Sequence, residues 1–399
     1  MVVKRGLLLA VASALALTVT AAAPMMGATK EAKPGPLRAG NLLRIRDMAA
    51  NGVTSKGAIV AVGWHEASKP GQLNLAFSTD GGKDYRRTNG KLRKYPIVGD
   101  PALGMSLAIC SNRVWAGSGY HSSSDKAGDS DVFVTSRTIG GGAAQALMTS
   151  TADDRRVRNV TVSCVGNQLL AIGWLQNTGN KTTAQVMLRS MEPLGTTPSF
   201  KKTYNLGVAE LKSGLDVATG SDSVAVAFVR DGHLRLKRFD VSGPGTVGSH
   251  PLKTIAWNDI KYPAIAAKGN RLVVAYTDAG KVRLKSSKDK GATISSPKTL
   301  ANTGGIKNPS KAYSADVVGD RILVEAGVYS KASGKVTPQR IQSKDFGGSW
   351  AKASFGNIGA RMGKLLKKKN VDPVFVEAWH NNAPKGSNDT LRSRYQLPS

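Results

Sequence analysis

Three of the five histidines directly follow an aromatic residue: His65 after Trp64, His121 after Tyr120 and His380 after Trp379. Aromatic rings stack on sugar faces and imidazoles hydrogen-bond to hydroxyl groups, so these pairs indicate a sugar-binding surface. Imidazole is also a common metal ligand, but no carboxylate pattern accompanies the histidines, so we assign no metal and expect no cofactor. A third interpretation is structural: the aromatic side chains fill the space between packed sheets.

Acidic residues lie close to equivalent positions, namely Glu66, Asp231, Asp278 and Glu377. Two carboxyl groups that flank a glycosidic bond can act as general acid and general base. Exposed acids near loops are usually only hydrated, and the sequence gives no separation between these four. We therefore assign no catalytic residue.

The aromatic residues before the histidines belong to a segment that recurs every 48 to 56 residues. Each copy is a short apolar strand that ends in an aromatic residue, at Trp64, Tyr120, Trp174, Phe228, Tyr276, Tyr329 and Trp379. This period in a β-rich chain is typical of a β-propeller with one four-stranded blade per repeat. We expect an all-β propeller of seven blades, with six blades and an extra sheet as the alternative.

The strand order of a blade determines which residues share a face. If the first strand starts at the ligand face, the aromatic-ended second strand returns to it. Eight residues then lie on one rim and are the predicted ligand-binding residues: Arg44, His65, Asp100, His121, Arg158, Tyr262, Tyr313 and His380. The seventh repeat lacks a fourth strand before Ser399, and we expect residues 29–41 to supply it.

A second motif follows several third strands. Ser78, Asp80, Gly82 and Tyr85 form a Ser-x-Asp-x-Gly-x-x-aromatic pattern, and Ser343, Asp345, Gly347 and Trp350 repeat it. Ser287, Asp289 and Gly291 match with Ile294 at the aromatic position. The pattern resembles the Asp-box, or BNR repeat, of the sialidase superfamily. The resemblance implies a propeller whose Asp-boxes are structural turns on the face opposite the ligand.

The start of the first repeat is also similar to the sialidase family. Leu43-Arg44-Ile45-Arg46 resembles the Arg-Ile-Pro motif of that family, with Arg46 in place of proline. The resemblance implies that Arg44 holds a substrate carboxylate, a task suited to a bidentate guanidinium. The other two arginines of the family triad and its nucleophilic tyrosine are not assigned, which favours binding over hydrolysis.

The charge balance is strongly basic, with 56 Lys and Arg against 27 Asp and Glu and a net charge of +29. Such a charge attracts anionic glycans or cell-envelope polymers. Nucleic acid stays an alternative partner, although the basic run 364–369 has no interleaved aromatic residue and no motif supports it.

The N-terminus has the pattern of a secretory signal peptide, because Lys4 and Arg5 precede an apolar run that ends in small residues. We expect a signal peptide at residues 1–28, a linker or arm at 29–41, one propeller domain at 42–399, and no membrane span after signal removal. Export permits a disulfide between Cys110 and Cys164, and two buried free thiols are the alternative.

Three functions are compatible with these features. We favour a secreted, monomeric binding module for an anionic or carbohydrate ligand. An exo-acting, sialidase-type glycoside hydrolase that uses Arg44 is the alternative, and an extracellular scaffold for protein partners is a weaker one.

Overall fold

A computed structural model describes the strands of the chain and most of their turns. The described residues are 43–46, 48–56, 59–66, 72–79, 87–88, 91–92, 95–98, 100–120, 131–139, 144–149, 156–167, 169–177, 181–191, 201–243, 245–301, 311–329, 336–354, 361–366, 374–379 and 388–396. They all belong to one compact unit, residues 36–398. Within these ranges no helix is long and apolar enough to cross a membrane.

The chain begins with strand β1 (Leu43–Arg46), which does not join the strands that follow it. Sheet I contains β2 (Met48–Lys56), β3 (Ile59–Glu66), β4 (Gln72–Ser78) and β7 (Tyr95–Val98). Between its last two strands, β5 (Arg87–Thr88) and β6 (Lys91–Leu92) form a separate hairpin.

Five sheets follow, each built from strands that are consecutive in the chain. Sheet II contains β8 (Asp100–Cys110), β9 (Arg113–Tyr120), β10 (Asp131–Thr138) and β11 (Ala144–Thr149). Sheet III contains β12 (Arg156–Val165), β13 (Leu169–Asn177), β14 (Thr182–Ser190) and β15 (Lys201–Val208). Sheet IV contains β16 (Leu215–Thr219), β17 (Ser223–Arg230), β18 (His233–Gly243), β19 (Thr246–Ser249) and β20 (Lys253–Ala256).

Two more consecutive sheets complete this series of five. Sheet V contains β21 (Ile260–Lys268), β22 (Arg271–Asp278), β23 (Lys281–Ser287) and β24 (Lys298–Ala301). Sheet VI contains β25 (Lys311–Val318), β26 (Arg321–Tyr329), β27 (Val336–Ser343) and β28 (Ala351–Ser354). Sheet VII combines β29 (Arg361–Leu366), β30 (Val374–Trp379) and β31 (Asn388–Gln396) with β1 as its outer strand.

The fold is therefore an all-β propeller with four-stranded antiparallel blades. Five blades, sheets II to VI, have the expected construction from consecutive strands, rather than seven or six. Sheets I and VII differ because the first is interrupted by a hairpin and the second takes a strand from the other end of the chain. The strand expected from residues 29–41 is instead Leu43–Arg46, which pairs with β31.

Apolar clusters lie between neighbouring sheets rather than inside any one sheet. One cluster joins sheets III and IV and includes Leu188, Val226 and Phe239, and another joins sheets V and VI. Strand side chains alternate between the two faces of a sheet, so each blade contributes apolar residues to both neighbours. This explains why the second strands β13, β17 and β22 are apolar at nearly every position.

The first strands of neighbouring blades are linked by side-chain hydrogen bonds. Ser106 Oγ accepts from the N–H of Val162 at 3.1 Å, and Asp216 Oδ2 accepts from the N–H of Ile265 at 2.9 Å. The free edge of a first strand has amide groups with no strand partner, and these side chains satisfy them. In both contacts the amide belongs to a first strand and the acceptor to the preceding blade, so these neighbouring first strands are fixed relative to each other.

Candidate functional site

The structure describes the side chains of two predicted ligand-binding residues, Arg158 and Tyr262. For Arg44, His65, Asp100 and Tyr313 only the strand backbone is described, and His121 and His380 lie outside the described residues. The predicted histidine cluster therefore stays a prediction. The site is built from residues around Tyr262.

The position of Arg44 differs from the predicted one. Arg44 pairs with Thr390 in the outer strand of sheet VII, whereas the resemblance to sialidases implies the start of a first strand. The first strand of sheet I starts later, at Met48. The cause is long-range: the third strand of sheet VII leaves an edge that the N-terminal segment covers.

Two β-bulges shape the starts of the first strands of sheets III and V. The pairing register shifts between Arg158 and Thr161 and again between Lys261 and Ala264. Inside these bulges Asn159 and Tyr262 both have a left-handed backbone, with φ of 53° in each. Bulges re-aim side chains, and a bulky residue at positive φ persists only where its surroundings hold it.

Gly214, which precedes the first strand of sheet IV, lies between these two bulges. Its φ is +87°, a value that glycine adopts without strain. A Cβ atom there would lie 3.7 Å from Asn159 Nδ2 and 3.8 Å from Pro263 Cδ. The starts of three first strands thus converge at one place, which we call the III–V rim, comprising Asn159, Glu210, Ser213 and residues 257–262.

Glu210 connects the loops of this rim. Its two carboxylate oxygens accept hydrogen bonds from the N–H of Gly232 and from Ser213 Oγ, both at 2.6 Å. The carbonyl of Ser213 accepts from the N–H of Tyr262 at 2.8 Å, and that of Gly232 accepts from the N–H of Ile260 at 3.0 Å. The Glu210 side chain thus joins the loops between sheets III and IV, and the two backbone bonds attach the start of the first strand of sheet V to them.

Trp257 is the most exposed large hydrophobic residue among those described, with 58% of its surface accessible. It lies in the connection between β20 and β21. Asn258 and Asp259 follow it, and both have positive φ, 70° and 46°. The hydrogen-bonded segment from Ile260 to Tyr262 anchors this strained connection, which presents an indole ring to solvent. An exposed indole provides a flat apolar surface with one polar N–H group, the combination that stacks on a sugar.

Charged groups lie in the loops that neighbour Trp257. Lys261 Nζ lies 2.8 Å from Asp259 Oδ1, and hydrogen bonding to that carboxylate raises the pKa of Lys261. Arg230 Nε lies 3.2 Å from Asp231 Oδ2 on the adjacent hairpin. These pairs are largely exposed, so water screens them and a ligand can replace either partner. The rim offers both cations for acidic groups and carboxylates for hydroxyl groups.

The aromatic residues that end the second strands of sheets III to V are not exposed. Trp174, Phe228 and Tyr276 are almost fully buried between sheets. Desolvation raises the pKa of Tyr276 to about 12. Of the four predicted acids, Asp278 lies 2.8 Å from Arg283 and Asp231 pairs with Arg230, while the side chains of Glu66 and Glu377 are outside the described part of the chain.

Two Ser-x-Asp turns lie on the face opposite the rim. After β23, Ser287 Oγ donates to Asp289 Oδ1 at 2.6 Å and accepts from the N–H of Gly291 at 2.7 Å. The N–H and hydroxyl of Thr293 donate to the same carboxylate. These bonds, from Ser287 first, lower the pKa of Asp289, so the carboxylate stays ionised and closes the turn.

The turn after β27 repeats this geometry. Asp345 accepts hydrogen bonds from the N–H of Ser349 at 2.8 Å and from Ser343 Oγ at 2.8 Å, and the Ser349 backbone bond is the main reason that its pKa is lowered. Gly347 has a φ of 95°, and its carbonyl accepts from Trp350 Nε1 at 3.1 Å. In the third predicted copy Ser78 is buried, while Asp80, Gly82 and Tyr85 lie outside the described residues.

The sequence predicted Tyr262 but not Trp257, Glu210 or Asn159. Trp257 is outside the aromatic position of the repeat and stands in a polar loop, WNDIKY. That departure from the repeat is the signal that identifies it, because a tryptophan between two strands has no inter-blade space to fill. Asn159 and Glu210 carry no comparable signal, since bulges and loop hydrogen bonds depend on neighbouring blades.

No family model and no curated protein match the chain. Among solved structures it is similar to the polysaccharide lyase Uly1, with a TM-score of 0.51, 10% identity, and coverage of 88% of this chain and 90% of that chain. A Trypanosoma rangeli sialidase in complex with the inhibitor DANA has a TM-score of 0.43, 13% identity, and coverage of 78% and 57%.

A prolyl endopeptidase has a TM-score of 0.46, 13% identity, and coverage of 84% of this chain and 46% of that chain. The chain thus spans about half the length of the sialidase and of this peptidase. At such identities the likeness shows the fold alone, and propellers host unrelated activities. The chain is an all-β propeller, similar in fold to the polysaccharide lyase Uly1.

Proposed function

We propose that this protein is a secreted binding module whose III–V rim binds an anionic carbohydrate. The observation that carries the proposal is the exposed Trp257 ring on a strained connection that hydrogen bonds hold in place. A rigid aromatic platform loses little conformational entropy when a ligand binds, which is the advantage of preorganisation.

The charges around the rim support an acidic ligand. Lys261, Arg230 and the exposed Arg158 lie at or beside the loops that hold Trp257. A net charge of +29 attracts polyanions over longer distances. Anionic glycans of a cell envelope combine sugar faces for the indole with acidic groups for these cations.

Secretion is part of this proposal. It is supported by the signal-peptide pattern and by the disulfide between Cys110 and Cys164, since disulfides persist in oxidising compartments. We also propose that the two Ser-x-Asp turns are Asp-boxes with the structural role that the sialidase resemblance implies. Binding without chemistry is favoured because Arg44 pairs in an outer strand and each described acid near the rim has a hydrogen-bonding or charged partner.

The test is a glycan array that contains neutral, sialylated, uronic-acid and sulfated glycans, probed with the mature protein. We expect acidic glycans to bind and Trp257→Ala to weaken that binding by roughly tenfold or more, because truncation of an aromatic anchor residue costs about 2 kcal/mol or more. Trp257→Phe keeps a ring and should retain most of the binding.

Val208→Ala is the matched control, because Val208 is the other large hydrophobic residue exposed in the described part of the chain. It should leave binding unchanged. Equal binding by Trp257→Ala and the native protein would show that the ligand binds elsewhere. Turnover of a fluorogenic sialoside would show that the protein is a glycoside hydrolase and not only a binding module.

We further infer that all seven sheets form one closed ring, with sheets I and VII as its remaining blades. The inference is supported by contacts between first strands, since β2 lies against both β8 and β29, and β29 lies against β25. A chain that starts at residue 47 should melt about 3 °C or more below one that starts at residue 42, because only the second keeps β1. Equal melting temperatures would exclude closure by β1.

A further inference from the structure

The third strand of sheet IV carries a row of basic residues on one face. His233, Arg235 and Lys237 alternate with the buried Leu234 and Leu236, so all three point to the same side of the sheet. The next residue in phase is Phe239, whose ring lies 4.7 Å from that of Tyr204 in sheet III. The row therefore lines the groove between sheets III and IV, which we call the III/IV groove.

Three buried polar atoms in this groove have no hydrogen-bond partner: His233 Nδ1, Arg235 Nε and Tyr204 Oη. Burying such groups without partners costs free energy, and folded proteins seldom do so repeatedly in one place. Arg235 Nε and Tyr204 Oη are donors, and His233 Nδ1 is a donor in one tautomer and in the protonated ring. Because all three atoms are buried in the free protein, ligand acceptors would satisfy these groups only after small movements of the three side chains.

Two lysines add positive charge to the same groove. Lys202 Nζ lies 5.0 Å from the centre of the Tyr204 ring, and Lys237 Nζ lies 5.5 Å from that of Phe239. Neither lysine forms an ion pair with a described carboxylate, and Lys237 Nζ donates only to the carbonyl of His250. Burial lowers the pKa of Lys237, so an anion nearby would restore the interaction that its ammonium group lost.

The groove between sheets IV and V is similar to the III/IV groove but differs from it in charge. Arg283 on the third strand of sheet V is equivalent to Arg235 on the third strand of sheet IV. Each pairs with the aromatic residue near the end of the second strand of its sheet, Tyr276 for Arg283 and Phe228 for Arg235. Arg283 is neutralised by Asp278 at 2.8 Å, whereas Arg235 has a hydroxyl partner, Thr254 Oγ1, and no carboxylate among the described residues. The III/IV groove is thus the more electropositive of two similar grooves.

We propose that the III/IV groove is a second binding site, which takes the sulfate or carboxylate groups of a linear acidic polysaccharide. Residues in phase on a strand are about 7 Å apart, so the row from His233 to Phe239 extends over roughly 20 Å, a length suited to an extended polyanion. Nucleic acid fits less well because the Tyr204 and Phe239 rings are covered by lysines and offer no free face to a base.

The test measures the affinity of the full mature chain for heparin as a function of NaCl concentration. The variant is Lys202→Met with Lys237→Met, which removes two charges but keeps the apolar stems. We expect at least tenfold weaker binding, and the slope of log K against log salt should fall by about 2, one for each lost contact.

Lys285→Met is the matched control, because Lys285 occupies the position of Lys237 in sheet V and likewise donates to a backbone carbonyl, that of Ser295. It should change the affinity less than twofold. An equal loss in this control would reduce the effect to overall charge and overturn the site. Poly-dT that binds as tightly as heparin, with the same loss in the double variant, would overturn the polysaccharide in favour of nucleic acid.

Melting curves establish that the variants fold. The single variant Lys202→Met, which changes an exposed side chain, is less disruptive than the double variant, and its affinity for heparin is measured in the same way. Trp257→Ala separates the two sites, since it should reduce glycan-array binding while the salt-dependent binding of heparin in the III/IV groove persists. The experiments can therefore disprove the III–V rim as a binding site without disproving the III/IV groove, and the reverse.

Discussion

Replacing Cys110 and Cys164 together with alanine should lower the free energy of unfolding by about 4 kcal/mol. The two cysteines form a disulfide between the first strands of sheets II and III, with Cα atoms 5.9 Å apart and 54 residues of sequence separation. A cross-link that closes so long a loop restricts the unfolded chain strongly, which is the main stabilising effect in the chain-entropy model.

The measurement is urea unfolding of the native protein and of the double alanine variant. The native protein reduced with dithiothreitol is the control, because it lacks the cross-link but keeps both side chains. Reduction should account for most of the loss, and the remainder reports the packing of the buried Cys110 side chain. Coincident unfolding midpoints of oxidised and reduced protein would show that the loop closure contributes nothing.

The repeat was predictable because its signals are local. An apolar run, a Gly-Asn turn and a following strand lie within about 15 residues, and all seven aromatic-ended segments are strands, as at 169–177 and 271–278. Outer strands are harder to predict from the sequence, as sheet I shows: its fourth strand is Tyr95–Val98, which follows a separate hairpin. Outer strands bury one face incompletely and so carry little apolar pattern.

The III–V rim was predictable only in part. Tyr262 was assigned to the start of a first strand, which is correct, but its positive φ and its bond to Ser213 depend on the preceding blade. The strand pairing of Arg44 was not predictable, because its partner, Thr390, lies at the other end of the chain and no local pattern specifies that pairing, while its ligand-binding role stays a prediction. Sites formed between blades therefore cannot be predicted from the sequence without the structure, whereas the strands of single blades can.

Sheet VI contains a buried polar pair at its boundary with a neighbouring sheet. Glu325 and Arg340 are directly opposite each other on β26 and β27, and only 0% and 4% of their surfaces are accessible. Ile322, Val324 and Ala326 point to sheet V, so Glu325 points to the other side, where β26 lies against β29 of sheet VII. Charged groups are thus buried on the face towards the sheet that contains both ends of the described chain.

Arg340→Ala should lower the free energy of unfolding by about 3–5 kcal/mol, because it leaves the Glu325 carboxylate buried without the facing guanidinium. The equivalent positions in sheet V hold an apolar pair, Ala275 opposite Leu284. The double variant Glu325→Ala with Arg340→Leu copies that pair, and it should recover most or all of the stability since no buried charge remains.

Urea unfolding of the native protein, the single variant and the double variant separates these contributions. A loss below about 1 kcal/mol in Arg340→Ala would mean that water or another residue compensates the carboxylate. A double variant as unstable as the single one would mean that these two side chains also make contacts that position sheet VII. Recovery in the double variant would instead show that sheets VI and VII pack as well with an apolar pair here, so that the charges select this packing more than they stabilise it.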